Sequence, residues 1–461
     1  MLEAVNRVPR PPSRIDNSDR AVKPKPWLVG FAVLHLACQL LLLIPALSGL
    51  RVVVRSAAFG VSVLFLLLIP SRRVSRTSLR TCALGIFMLL VMEFFHPEGS
   101  GLLAAFAAIM MNLAVMAPIF WVPRTEPSED DVQLLITILW LFYTVSAILG
   151  VLQAYFPGQF QPPLSAILAA NTRERLAGLE ISLASGARVF RPMGLTDSPG
   201  GAAFAGLYAV LLGTGMLLSV KAPFRGARVL AVGSMIAGLM CLYLCQIRSL
   251  LVMTGVCEIS LLTLLLVTGR VSRLVGLLGA VGATVPGAFV LALSIGGRAM
   301  TDRLTTLVDA DPGSVYYASR GRFLETTLNQ FLPLYPLGAG LGRWGMLHAY
   351  FGDVADGLWV EIQWTAWLFD GGIPLIFLYV TAILIASWGC LKIALGRIGP
   401  RESSLRIWGA VIVAYNVGAI AICFNYPLFG GTGGLEFWLL NMAVLSAAYG
   451  ARRNAPLSTA S

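Results

Sequence analysis

The stretch QLLITILWLFYTVSAILGVLQAYF, residues 133–156, runs for 24 residues without one charged side chain. As an α-helix it would be about 36 Å long, enough to cross a hydrocarbon core of ~30 Å. Runs of the same kind recur on either side of it, near 27–49, 52–70, 79–95, 101–122, 200–220, 229–246, 249–268, 274–296, 372–394, 407–424 and 434–450. Together they predict an all-α polytopic integral membrane protein of about twelve transmembrane helices. Composition agrees: 57% of the residues are hydrophobic and 12% charged, where an ordinary globular chain carries roughly 25% charged residues. Mean hydropathy is +0.78. Lipid offers the backbone no hydrogen-bonding partner, so a helical bundle is the expected solution.

Short basic connections set the orientation. With the N-terminus in the cytoplasm, 22 lysines and arginines fall on the inner side, in the tail and in the connections around 71–80, 124, 221–228, 270–273, 392–406 and the C-tail; the short outer connections hold three, Arg51, Arg55 and Arg248. Both termini are expected to be cytoplasmic. The net charge of +11 follows mainly from this asymmetry and is no sign of nucleic-acid binding. The basic, proline-rich tail 1–26 is expected to be disordered and to meet anionic lipid. No cleaved signal peptide is expected, because the first apolar run is too long and lacks a small-residue cleavage site. The tail 451–461 closes the chain on the same side.

All seven cysteines lie in predicted spans, where none can staple an external loop. Cys241 and Cys245 stand one helical turn apart with no nearby His or Asp, a spacing read as packing and not as a metal site.

Two segments break the compact pattern, 157–199 between the fifth and sixth spans and 297–371 between the ninth and tenth. The remaining nine basic residues are all here, and all are arginine. The planar guanidinium fork matches the paired oxygens of phosphates and carboxylates; loop salt bridges to Glu174, Glu180, Asp302 and Glu325 are the plainer explanation. Three local sequences stand out. Arg191-Pro-Met-Gly-Leu-Thr-Asp-Ser-Pro-Gly200 runs straight into a span, with glycines and prolines for a tight turn. Gln246-Ile-Arg248-Ser sits between two apolar runs with almost no loop, which puts Arg248 at the outer interface, where a charge is a functional candidate. Ser319-Arg-Gly-Arg-Phe-Leu-Glu325 precedes the glycine-rich turn Pro336-Leu-Gly-Ala-Gly-Leu-Gly342; no lysine follows to make that turn a nucleotide loop.

Over residues 190–390 the chain resembles the O-antigen ligase and polymerase family. The resemblance is carried by Arg-Pro-x-Gly at Arg191, Arg-Ser at Arg248, Arg320 and Arg322 leading into Pro-Leu-Gly-x-Gly-Leu-Gly, and Gly371-Gly-Ile-Pro374 at the start of a late span. It implies a GT-C-like fold in a bacterial inner membrane and an inverting, metal-independent glycosyl transfer at the periplasmic face. No cofactor is implied. The partners are an undecaprenyl-diphosphate-linked glycan, membrane lipids and other polysaccharide-assembly proteins. Such a reaction needs cations for the departing diphosphate and a base for the acceptor hydroxyl. Arg191 and Arg248 are the expected diphosphate ligands, with Arg320 or Arg322 as a third clamp.

The base is where the chain departs from the ligase pattern, which has a His-Asn pair before the late span. Here the stretch reads Val354-Ala-Asp356-Gly-Leu-Trp-Val-Glu361, without histidine. Asp356 takes the place of that histidine and is the expected base, or else a helix N-cap; Glu361 follows, and His348 can approach only if the loop folds back. The departure favours a polymerase over a ligase acting on lipid A-core. Elsewhere, Glu258 within a span is expected to line a cavity or pair with an arginine, and His35 to make an interhelical hydrogen bond. Asp309-Ala-Asp-Pro-Gly313 lacks the later ligands of a calcium loop and reads as a turn. Trp359, Trp364 and Trp367 suit either sugar stacking or the membrane interface. A secondary transporter would show paired broken helices and similar halves, and no internal repeat is visible; a scaffolding protein would not require arginines at span entrances.

Overall fold

The structure, a computed structural model, describes residues 26–70, 77–161, 180–182, 188–305, 312–352, 357–399 and 403–454. The basic tail, the Asp309 turn and Asp356 lie outside the described residues. Among these the chain forms twelve long helices: α1 (Pro26–Leu41), α2 (Arg51–Leu68), α3 (Ser78–Glu93), α4 (Leu102–Thr125), α5 (Glu129–Tyr155), α6 (Gly201–Leu218), α7 (Ala227–Cys245), α8 (Arg248–Val267), α9 (Val271–Thr305), α10 (Gln363–Ala394), α11 (Leu405–Ile422) and α12 (Thr432–Asn454). Nine of them, all but α1, α3 and α12, are long and apolar enough to cross a membrane; α1 is apolar but shorter. The two short strands β1 (Glu180–Ser182) and β2 (Arg188–Phe190) pair antiparallel, Glu180 opposite Phe190.

The outside of the bundle carries many large apolar side chains. Leu67, Val229 and Phe377 are 79%, 78% and 68% exposed, which water would penalise and lipid would not. Burial grades from centre to rim: 83% of α6 is enclosed against 17% of the apolar part of α9. Small residues let the central helices touch, as lipid-facing bundles require. A Cβ on Gly206 of α6 would lie 2.8 Å from the Gly238 carbonyl of α7, and one on Gly238 would lie 2.7 Å from that of Gly206. The Cys241 thiol of α7 donates to the Ala202 carbonyl of α6 at 3.2 Å, with Cys245 Sγ at 3.7 Å, so this pair packs a helix interface.

The helices alternate between two ends, and polar contacts tie each end together. At one end Glu129, opening α5, accepts from Ser403 Oγ (2.6 Å) and Ser404 N–H (2.8 Å) before α11. There too Arg124 donates to the last carbonyls of α2, Leu66 and Ile69. The other end gathers the loops. Arg343 pairs with Glu98 at 3.0 Å, the Tyr316 hydroxyl donates to the Phe424 carbonyl, and Asp197 accepts from Arg51 at 3.0 Å and from Arg55.

The expected second external segment is largely helical. α9 continues to Thr305, and residues 312–334 form one helical stretch containing two π-turns, Tyr317–Gly321 and Thr327–Phe331. α10 starts at Gln363, ahead of the expected 372, and breaks at Gly371 and Gly372, so the expected start falls on the break. Among the described residues Glu258 forms no ion pair with an arginine and is not in the wall of the cavity beside α10; it accepts from Thr214 of α6 at 3.0 Å, with its other oxygen buried and unpartnered. His35 does bond across helices, to Glu436 of α12 at 3.0 Å.

Candidate functional site

Arg191 follows directly on β2, and the turn after it is held on the last turns of α5. Gly194 N–H donates to Gln153 Oε1 at 2.7 Å and Leu195 N–H to Ser146 Oγ at 2.9 Å. Gly194 has φ 63°, and a Cβ there would meet Ser146 Oγ at 2.6 Å, so glycine is required on both counts. The anchored turn sets Arg191 among Arg320, Glu361 and the Cys245 thiol. Burial first, and then the Arg320 charge, pull its guanidinium below the ordinary arginine range, while Cys245 and Glu361 act the other way. Arg191 Nε is buried without a hydrogen-bond partner among the described residues. Arg320 forms an ion pair with Glu361. Arg248 opens α8 three residues beyond Cys245, after Gln246 turns the chain in a left-handed conformation (φ 52°).

Three expected residues thus meet, Arg191, Arg320 and Glu361, with Arg248 beginning the adjacent helix. Arg322 does not join them: it is exposed, on the stretch where the Tyr317 hydroxyl donates to Glu325. His348 stands apart as well, in the short helix Gly345–Phe351, where its Nδ1 shares a 2.8 Å hydrogen bond with Ser100 Oγ. The loop does fold back on it, since a Cβ on Gly352 or Gly357 would run into the imidazole. Leu358 N–H also donates to the Arg343 carbonyl at 2.7 Å.

The two glycine motifs lock together. Ala339 N–H donates to the Phe369 carbonyl (2.8 Å) and Ile373 N–H to that of Pro336 (2.9 Å), across the break in α10. The turn 336–342 is wedged against the α3–α4 connection, where Ser100 N–H donates to the Leu341 carbonyl. This fixes Asp370, the residue before the break, in the wall of a cavity of about 490 Å³ enclosed by α1, α2, α4, α5, α6, α10 and the start of α12. Trp344 Nε1 donates to Asp370 Oδ1 at 2.8 Å. In the same cavity Glu436 accepts from His35 and from the Tyr143 hydroxyl, and Arg55 and Asp197 complete the charged lining.

Sequence reasoning missed Asp370, Glu436 and the Asp197 bridge. A signal existed for two of them: Asp370 immediately precedes the quoted Gly371-Gly-Ile-Pro374, and Glu436 sits inside an otherwise apolar run, where a charge marks a candidate site. Trp367 also lines the cavity, Trp364 packs edge-on against it at 5.6 Å between centroids, and Trp359 is 70% exposed.

Fold and surface together define an all-α protein with the character of a membrane bundle. No protein-family model and no curated protein matches the chain.

Proposed function

We propose that this chain is a polysaccharide polymerase of the bacterial inner membrane, crossing it twelve times in a GT-C-like arrangement with both termini cytoplasmic and the loop-rich end facing the periplasm. It joins a glycan carried on undecaprenyl diphosphate to the terminal sugar hydroxyl of a second lipid-linked glycan. The acceptor oxygen attacks the anomeric carbon with inversion as the carbon–oxygen bond to the diphosphate breaks. The diphosphate leaves with the electron pair, and the hydroxyl proton passes to a base.

The observation that carries this reading is the meeting of Arg191 and Arg320 around a single carboxylate, Glu361, at the loop-rich end. Two guanidinium groups against one carboxylate leave a surplus of positive charge, and Arg191 keeps a buried N–H to offer. Fixed donors of that kind stabilise charge that develops on a leaving group without reorganising. Glu361, held by Arg320, is placed to position that arginine; Asp356 is the proposed base, with His348 the alternative.

Reconstitution with lipid-linked oligosaccharide tests the proposal. A ladder of products still on undecaprenyl diphosphate is expected, and transfer that requires added lipid A-core would indicate a ligase instead. One observation favours a reading from another class: α10 breaks beside the cavity, as helices do at the sites of secondary transporters. The same assay in detergent separates the two, since a transporter makes no new glycosidic bond.

A further inference from the structure

The cavity beside the broken α10 is distinct from the arginine cluster: none of Arg191, Arg248, Arg320 and Glu361 lines it. Its charge has the opposite sense. The lining holds one arginine, Arg55, already paired with Asp197, against three carboxylates, Asp197, Asp370 and Glu436, and the histidine bonded to Glu436. A diphosphate would be repelled there.

What the walls offer is hydrogen bonding without surplus positive charge. Asp370 spends Oδ1 on Trp344, and Glu436 spends Oε1 on His35 and Tyr143. Gln363 accepts from the Phe429 N–H through Oε1 at 2.7 Å. The second oxygen of each carboxylate and the Gln363 amide NH₂ have no hydrogen-bond partner among the described residues, and none of them is closed off from the cavity that all three side chains line. In that wall the oxygens can accept from, and the amide donate to, the hydroxyls of a bound molecule. Between them stand aromatic surfaces, Trp344, Trp367 and Tyr208, against which the C–H faces of a ring can pack. A volume of about 490 Å³ lies in the range of small-molecule sites and suits about one or two sugar rings.

We infer that this cavity binds the saccharide portion of the lipid-linked glycan, neutral hydroxyls bonding to Asp370, Glu436 and Gln363, while the diphosphate stays outside on the arginines. The assignment rests on the proposed function and adds which end of the substrate goes where.

The test uses the oligosaccharide released by mild acid from the host cell's own lipid-linked glycan, tritium-labelled, in equilibrium dialysis against the purified full chain in nanodiscs. Gly431 lines the cavity, has extended φ (−171°) and has nothing within 4 Å of a Cβ position, so Gly431→Phe fills the space without a built-in clash. Asp370→Asn keeps the Trp344 acceptor and removes the charge. Both are expected to weaken binding of the free oligosaccharide at least about tenfold, roughly the loss of one good hydrogen bond to a charged group, with Arg191→Gln unchanged. Equal binding by Gly431→Phe and wild type overturns the inference. So does failure of the free oligosaccharide to bind where the intact glycolipid binds and Arg191→Gln abolishes it; that result leaves the arginine reading standing. If wild type binds neither form, the proposed function falls together with the inference.

Discussion

Gly372 has φ 65° and ψ −158°, a region open in practice only to glycine, and a Cβ there would collide with the backbone of Pro336 and Leu337. Gly372→Ala is therefore expected to cost about 2–4 kcal/mol, strain and clash together, seen as a lowered Tm in detergent; Gly431→Ala, in open space, should leave Tm unchanged. The four arginines that looked alike in the sequence now separate. Arg191→Gln or Arg320→Gln is expected to reduce glycan transfer by about 100-fold, the scale of losing a fixed donor to a developing charge. Arg322→Gln, at an exposed position, should stay within about twofold. Equal losses at Arg320 and Arg322 in the reconstituted assay would dissolve that distinction. Residue type and position brought Arg191, Arg320 and Glu361 forward before any fold was known, although a salt bridge was the plainer use of an external arginine and Arg320 does pair with Glu361. Asp370 and Glu436 were not brought forward, since a carboxylate inside an apolar run acquires meaning only when the helices carrying it close around a common space.

Spans follow from length and hydropathy alone, and the predicted runs coincide with the helices to within a few residues in most cases. α10 is the instructive departure. Gly-Gly looked like a helix start because glycine and proline usually mark ends; here the helix simply resumes, because the turn 336–342 supplies partners for the backbone that the break releases. Tertiary hydrogen bonds of that kind leave no periodic trace. Arg55 likewise read only as one charge of a short connection, yet it meets Arg51 on one oxygen of Asp197, fastening the start of α2 to the turn before α6. The three side chains are 16%, 31% and 9% exposed, so water screens the bridge only in part. Asp197→Asn would leave two half-buried guanidinium groups facing each other and is expected to destabilise the chain by about 1–3 kcal/mol, with Asp197→Glu recovering part of the loss. Chemical denaturation in a fixed detergent measures both.

At the scale of the molecule, orientation is the property on which every functional statement depends. Among the described residues, ion pairs and hydrogen bonds between connections join members of the same end: Glu129 to Ser403 and Lys221 to Asp130 at one, Arg343 to Glu98 and Arg51 to Asp197 at the other. The proposed function, following the asymmetry of lysine and arginine, puts the first of these ends in the cytoplasm. Glu98, Asp130 and Lys221 carry exposed side chains, 58%, 78% and 63%, and their surface pairs contribute little to stability, so cysteine can replace each without disturbing the bundle. The natural cysteines are buried, Cys82 partly, and give a low background. A membrane-impermeant maleimide is expected to label Glu98→Cys in intact spheroplasts, and Asp130→Cys and Lys221→Cys only after permeabilisation. Labelling of Lys221→Cys from outside would invert the molecule. The arginine cluster would then face the cytoplasm, where a periplasmic polymerase has no use for it.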